Sequence, residues 1–291
     1  MVQRELRARL EVLAAAVLFS TGGAAIKWTS LSAFQVASFR SAVAGLVVLA
    51  VLPESRARWS ARSWIVGAAY AGTMVLFVVA NKLTTAANTI FLQYTSPLYV
   101  MLAGPWLLDE RVRPRDVAFS AVLAASLALF FVDAPVHMET APRPVAGNAL
   151  ALLSGVFWAA TTVGLRWMAR PGHGGAPVAT AVACGNLIAF LACLPLARPV
   201  PDISARDLAI VLYLGGFQIV GAYAFLMRGL QALSALEASL LMLLEPVLNP
   251  VWAWLLHGER PGPWALVGGT VVLGATALRT WADTRTAGRA A

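Results

Sequence analysis

Glu245 is the acidic residue set deepest in an apolar run of this 291-residue chain, directly before Pro246 and one helical turn ahead of Pro250. A charged side chain near the centre of a membrane-spanning helix costs roughly 3 kcal/mol on insertion scales, so it marks a pathway, a partner or a proton site. The two prolines leave carbonyls near positions 242 and 246 without helical donors, which is tolerable only where neighbouring helices or a wet cavity supply partners. Helical spacing puts Met242, Glu245 and Asn249 on one face. That face suits a substrate ammonium or a coupling proton. Equally open is a structural role, in which Glu245 pairs with a basic residue such as Arg40 and fixes the bundle.

Arg40 lies near the middle of another apolar run. It has the fork of donors that meets a carboxylate with two parallel hydrogen bonds, but small apolar neighbours favour a structural pair or a snorkelling side chain. Lys82, beside Asn81, reads as an end-cap or as a mouth residue that attracts anionic groups. Among the ten tryptophans, Trp28, Trp59, Trp64, Trp167, Trp264 and Trp281 fall near the ends of apolar runs, where headgroup belts collect aromatics. Trp158 sits further in and is followed by Thr161 and Thr162. Tyr70, Met74, Phe77 and Asn81 share one helical face, and Gln218, Tyr223 and Phe225 add polar and aromatic groups elsewhere. Such a lining suits amphipathic or aromatic solutes, although an apolar-aromatic stripe is more often packing.

No catalytic constellation competes with this reading. His137, His173 and His257 are scattered, no metal-ligand cluster or nucleophile with a base is spaced for chemistry, and there is no Walker lysine motif. The expectation is a protein that is not an enzyme and needs no cofactor or metal. Cys184 and Cys193 are too far apart along one helical run for a disulfide and read as small packing residues.

The elements that must position these residues are hydrophobic helices. The chain is 59% hydrophobic and 12% charged, with a mean hydropathy of +0.73, far too apolar for one water-soluble core. The net charge of +8 is spread in short clusters between apolar runs, so it is an orientation signal and not a nucleic-acid interface. A span takes about 20 mainly apolar residues, and ten windows qualify: roughly 10–29, 33–52, 63–80, 84–107, 116–132, 147–168, 177–196, 207–228, 233–256 and 263–281. The stretch around Arg4, Arg7 and Arg9 resembles a signal peptide but lacks a convincing cleavage site, so it reads as a retained first span. With both termini cytoplasmic, fifteen of the 22 basic residues fall in inner segments and six at outer ends, as the positive-inside rule requires.

The chain also repeats itself. Pro97, Glu110, Arg111 and Pro114 recur 149 residues later as Pro246, Glu259, Arg260 and Pro263, and Gly72 pairs with Gly221 at the same offset. Phe19 to Trp28 aligns with Trp158 to Trp167 at an offset of 139. The images of Met242, Glu245 and Asn249 are Gln93, Ser96 and Val100. Five spans per half is an odd number, so the second half enters the membrane upside down, as in many transporters. The expected fold is all-α and integral to the membrane: residues 1–132 as one five-helix repeat, 133–146 as a linker loop holding Pro135, Pro142 and Pro144, and 147–291 as the inverted second repeat. Gly22–Gly23, Gly215–Gly216 and Gly268–Gly269 are expected at close helix contacts, with a hinge role as the alternative.

FSTGGAAIKW at Phe19 to Trp28, the basic residue after Phe39, and the two Pro-to-Glu-Arg blocks closing the fourth and ninth spans resemble the drug/metabolite transporter superfamily in its EamA branch, over nearly the whole chain. The overall likeness extends to YddG-type bacterial amino-acid exporters. Ala183 to Asn186 departs from the pattern, standing where a second Phe39-Arg40 would be echoed. The resemblance implies export of small metabolites, above all neutral or aromatic amino acids, across a bacterial inner membrane. The alternatives are a multidrug or other metabolite permease of the same family and, less favoured, a membrane-embedded enzyme. Substrate contacts are expected from Glu245, Met242, Asn249, Gln93, Ser96, Trp158, Tyr70, Phe77, Tyr223 and Lys82. The partners are then a small-molecule substrate, the lipid bilayer and a proton; no nucleic acid is expected, and the sequence sets no oligomeric state.

Overall fold

A computed structural model describes residues 2–96, 98–100, 114–132, 139–169, 177–200, 202–229, 232–233, 238 and 241–287, all of them helix, turn or connection. Pro97, Glu110, Arg111, His137, His173 and the linker positions 133–138 lie outside the described residues. The helices are α1 (Val2–Ser20), α2 (Gly22–Trp28), α3 (Ala33–Val51), α4 (Ala61–Leu83), α5 (Ala86–Gln93), α6 (Pro114–Val132), α7 (Pro144–Ala169), α8 (Val178–Cys193), α9 (Ala205–Leu212), α10 (Ala222–Gly229), α11 (Leu244–His257) and α12 (Pro263–Ala287). A π-helical stretch, Tyr213–Gly221, joins α9 to α10.

Five stretches are long and apolar enough to cross a membrane: Glu5–Trp28, Ala33–Val51, Ala61–Leu83, Pro144–Leu165 and Ala205–Gly229. Val117–Val132, Val178–Cys193 and Pro263–Leu278 are shorter apolar helices. The starts are set by local chemistry. Ser32 and Gln35 satisfy each other's backbone amides at the head of α3, Ser60 and Ser63 do the same for α4, and Thr85 caps α5. Gly258, at φ 65°, ends α11 in the left-handed conformation that glycine adopts without strain. Trp28, Trp64, Trp264 and Trp281 are exposed near helix ends, and Cys184 and Cys193 are free and buried.

Several expected spans differ from single helices: 10–29 is split between α1 and α2 at Thr21, 207–228 contains the π-helical stretch, and two more are broken. The window 84–107 is broken, because α5 stops at Gln93 and Tyr94 and Thr95 form a turn. The window 233–256 is interrupted at Leu243 before α11 begins. Pro246 thus falls in the first turn of α11, where a missing amide costs little.

The packing is dominated by contacts between the first and second halves of the chain. α4 runs along α7, and α1 runs along α10; α4 also packs on α8, and α3 on the π-helical stretch. α3 meets α8, α5 meets α11 and α6 meets α12. Exchanging each span for the one five places on turns the first two pairs into each other, does the same for the next two, and returns the last three to themselves. This pattern fits an inverted repeat with its pseudo-twofold axis between the halves. Gly72 and Gly269 lie where an added Cβ would come within 2.3 Å of Phe157 and 2.6 Å of Phe91, so close packing is the role the structure gives them. Gly216 has open space around it.

Candidate functional site

Glu245 enters the bundle interior from the first turn of α11 and is half-buried. Its carboxylate accepts a hydrogen bond from the Tyr94 hydroxyl at 2.8 Å. The same hydroxyl lies 3.4 Å from the Met242 carbonyl, the acceptor that Pro246 deprives of its helical donor. One tyrosine from the end of α5 thus serves both polar groups of the broken span opposite. Tyr94 is the main residue that sequence reasoning missed: periodicity carried through α5 selects Gln93 and Ser96, and the turn at Tyr94 and Thr95 brings their neighbour round instead. Pro97 was the available signal, since a proline removes the helical donor for the carbonyl four residues earlier, here Gln93, and so disfavours a continuous helix through this point.

The other expected site residues separate into three groups. Met242 and Tyr223 belong with Glu245. Tyr223 lies within electrostatic reach of Glu245 and of Tyr70, and its ring meets Phe19 edge-on at 5.1 Å. A second group forms a packing net. Gln93 donates to Ser154 at 2.7 Å, Ser154 continues to the Thr73 carbonyl at 3.3 Å, and Phe77 packs against two apolar clusters. Ser96 is buried, Asn249 is fully buried with neither amide atom partnered among the described residues, and Trp158 is half-buried, its carbonyl taken by Thr162. The third group is Lys82 alone, which sits at the bundle end furthest from the N-terminus and donates to the Thr29 carbonyl at 2.8 Å.

Arg40 is the charge whose surroundings differ most from expectation. It neither snorkels nor pairs: it is 2% exposed, and among the described residues it forms no ion pair. One Nη donates to the Met74 carbonyl at 2.9 Å and approaches Met74 Sδ at 3.7 Å; Nε has no partner. Glu245 is therefore not its counter-ion.

The far end of the bundle, where α2 finishes, is closed by charges the sequence left unpaired. Lys27 meets Glu259 at 3.0 Å, with both side chains almost wholly buried. Lys27 also donates to the carbonyls of Thr84 and Thr140, and Glu259 accepts from the Ala86 amide at 2.8 Å. The Lys27–Glu259 contact is mainly electrostatic, since the Glu259 oxygen facing Lys27 lacks hydrogen-bond alignment. Asp207 accepts from Thr29 at 2.7 Å, from the Ser30 amide at 2.9 Å and from the hydroxyls of Ser30 and Ser204, each at 2.7 Å. A groove of about 420 Å³ opens on the flank between α2, α9 and α11, lined by Trp28, Ile210, Tyr213, Trp252 and Leu256 among others. It contains none of the expected site residues and is almost wholly apolar.

These features can bind and pass a solute; among the described residues they include no group of three or more metal-binding side chains. The EamA-like transporter family model matches the chain twice, at residues 7–132 and 145–281. No curated protein matches it. One solved crystal structure superposes with a TM-score of 0.62 over 96% of this chain and 98% of that one, at 23% identity, which supports the fold. With both matches lying along the packed halves described above, the chain belongs to the EamA-like transporter family and is a multi-pass membrane transporter of small metabolites.

Proposed function

We propose that the protein exports amino acids, neutral and aromatic ones foremost, together with related amphipathic metabolites, from the cytoplasm across a bacterial inner membrane. Both termini are cytoplasmic in this reading, and ten spans form two inverted repeats, residues 1–132 and 147–291, joined by 133–146. Access alternates as the halves rock about a mid-membrane site. The Tyr94–Glu245 contact carries the proposal, because it sets an ionisable group between the two broken, symmetry-related spans α5 and α11, where transporters of inverted-repeat design bind substrate and coupling ions. Glu245 takes the substrate ammonium or a coupling proton. Met242, Tyr223 and Tyr70 line the site around it, with Asn249, Gln93, Ser96, Phe77 and Trp158 as supporting contacts, and Lys82 stands at the mouth. The buried Lys27–Glu259 pair closes the far, outer end and has to part during export.

Purified protein in liposomes, given radiolabelled neutral, aromatic, cationic and anionic solutes with and without a proton gradient, tests this directly. Aromatic and neutral amino acids should be taken up above all others. Glu245→Gln should abolish the pH-dependence of uptake; an unchanged pH profile at the wild-type rate removes the proton role. Uptake confined to bulky cations favours the multidrug reading.

A further inference from the structure

Arg40 belongs to a cluster of polar groups that the fold buries and leaves unanswered. A buried charge normally has an opposite charge and a full set of hydrogen bonds, because desolvation costs several kcal/mol per ion. Arg40 has one carbonyl, a thioether and an idle Nε. Beside it, Tyr70 is 1% exposed and its hydroxyl has no partner among the described residues. Asn186, fully buried on α8, donates its amide NH2 to the Val182 carbonyl at 2.9 Å, while its Oδ1 has no partner among the described residues. The Tyr70 hydroxyl and the Asn186 amide face each other without meeting in hydrogen-bond geometry, and Arg40 is within electrostatic reach of Tyr70.

The three side chains come from α3, α4 and α8, and Asn186 belongs to the stretch Ala183 to Asn186, where an echo of Phe39-Arg40 would stand. That stretch holds no basic residue, so Arg40 has no charged counterpart there. The cluster adjoins the site already described: Tyr70 and Glu245 both lie within electrostatic reach of Tyr223. A guanidinium and a phenolic hydroxyl both donate, and a carboxylate can accept from the two together while also answering the arginine's charge.

We propose that Arg40 and Tyr70 form a carboxylate-binding subsite, so that the substrate is bracketed between Arg40 and Glu245 and is a zwitterion. This rests on the transport reading above and deepens it. It accounts for a fold that tolerates an unpaired buried cation: the counter-ion arrives with the cargo.

The test pairs stability with selectivity in the full-length protein. Arg40→Met removes an unpaired buried charge while keeping the bulk, so its melting temperature in detergent should equal or exceed that of wild type. In liposomes it should carry phenylalanine at less than about a tenth of the wild-type rate and lose the preference for phenylalanine over phenylalanine amide. Tyr70→Phe deletes only a hydroxyl with no partner, so it should fold normally and weaken phenylalanine uptake about fivefold while leaving the amide unchanged. Retained acid-over-amide preference in both variants overturns the subsite and leaves amino-acid transport standing. A thermal-shift series with benzoate, phenylalanine, phenethylamine and sodium chloride separates the two readings. If wild type transports no amino acid yet is stabilised by benzoate in an Arg40-dependent way, the subsite stands and the amino-acid reading falls. Stabilisation by chloride but by no carboxylate overturns the subsite.

Discussion

The far end of the bundle and its middle hold similar buried polar groups and treat them oppositely. At the far end Lys27 faces Glu259 and two carbonyls, and Asp207 collects four donors. In the middle, Arg40 and Glu245 carry opposite charges that do not meet, and polar atoms of Arg40, Tyr70, Asn186, Gln218 and Asn249 lack partners among the described residues. At the far end each buried charge meets an opposite charge or a set of donors, although Glu259 Oε1 faces Lys27 without an aligned hydrogen bond; in the middle the charges have no such answer. The far end is therefore built to hold, and the middle to receive something that diffuses in.

The largest effect that would break this contrast comes from Lys27→Met. Removing one member of a buried pair strands the other, typically at about 3–5 kcal/mol, so thermal unfolding in detergent should show a marked loss of stability. Combining it with Glu259→Gln keeps an acceptor for the Ala86 amide and should recover most of that loss. A Lys27→Met protein as stable as wild type would mean that the far end is no lock. Arg40→Met is the mirror experiment, a buried charge whose removal should not destabilise.

Asp207→Ala comes next. It leaves Thr29, the Ser30 amide and the Ser30 and Ser204 hydroxyls without their shared acceptor. Unsatisfied buried donors cost about 1–3 kcal/mol each when no water reaches them; with water admitted at a bundle end, a total near 2–3 kcal/mol is expected in the same unfolding assay. The destabilisation should be as large in the empty protein as in the substrate-saturated one, which marks it as structural.

The contrast between the two regions was only half legible in the sequence. Runs of apolar residues gave the helices, while the side-chain caps that set their starts at Ser32, Ser60 and Thr85 emerged only in the structure. Glu245 stood out because Pro246 and Pro250 surround it with carbonyls that need donors. The closing pair did not stand out, because Lys27 and Glu259 are brought together only by the docking of α2 against the α11–α12 connection. Arg40 read as a snorkelling or paired residue because helical arithmetic places a side chain on a face without saying how deep the neighbouring helices bury that face. The π-helical stretch was equally hidden: Tyr213 to Gly221 is an ordinary apolar run with three glycines, and the widened turn belongs to its packing against α3.

The adjacent Gly215 and Gly216 give the finest test of how tightly the middle is held. An added Cβ at Gly215 would stand 2.6 Å from the Arg40 carbonyl oxygen and 2.6 Å from Val43 Cβ, whereas one at Gly216 meets nothing within 4 Å. Gly215→Ala must push the π-helical stretch away from α3, a backbone contact that cannot swing aside, and should cost about 1–3 kcal/mol as overpacking does elsewhere. Because the contact is with Arg40's own backbone, phenylalanine uptake should fall further than the stability loss alone explains. Gly216→Ala adds a methyl to open space and removes backbone freedom from the unfolded chain, a gain of up to about 1 kcal/mol where the conformation is compatible. Opposite signs at adjacent positions in one melting experiment would show that the approach of the π-helical stretch to Arg40, and not helix propensity, governs this segment. Equal effects at both positions would remove the idea that α3 and this stretch hold Arg40 in place.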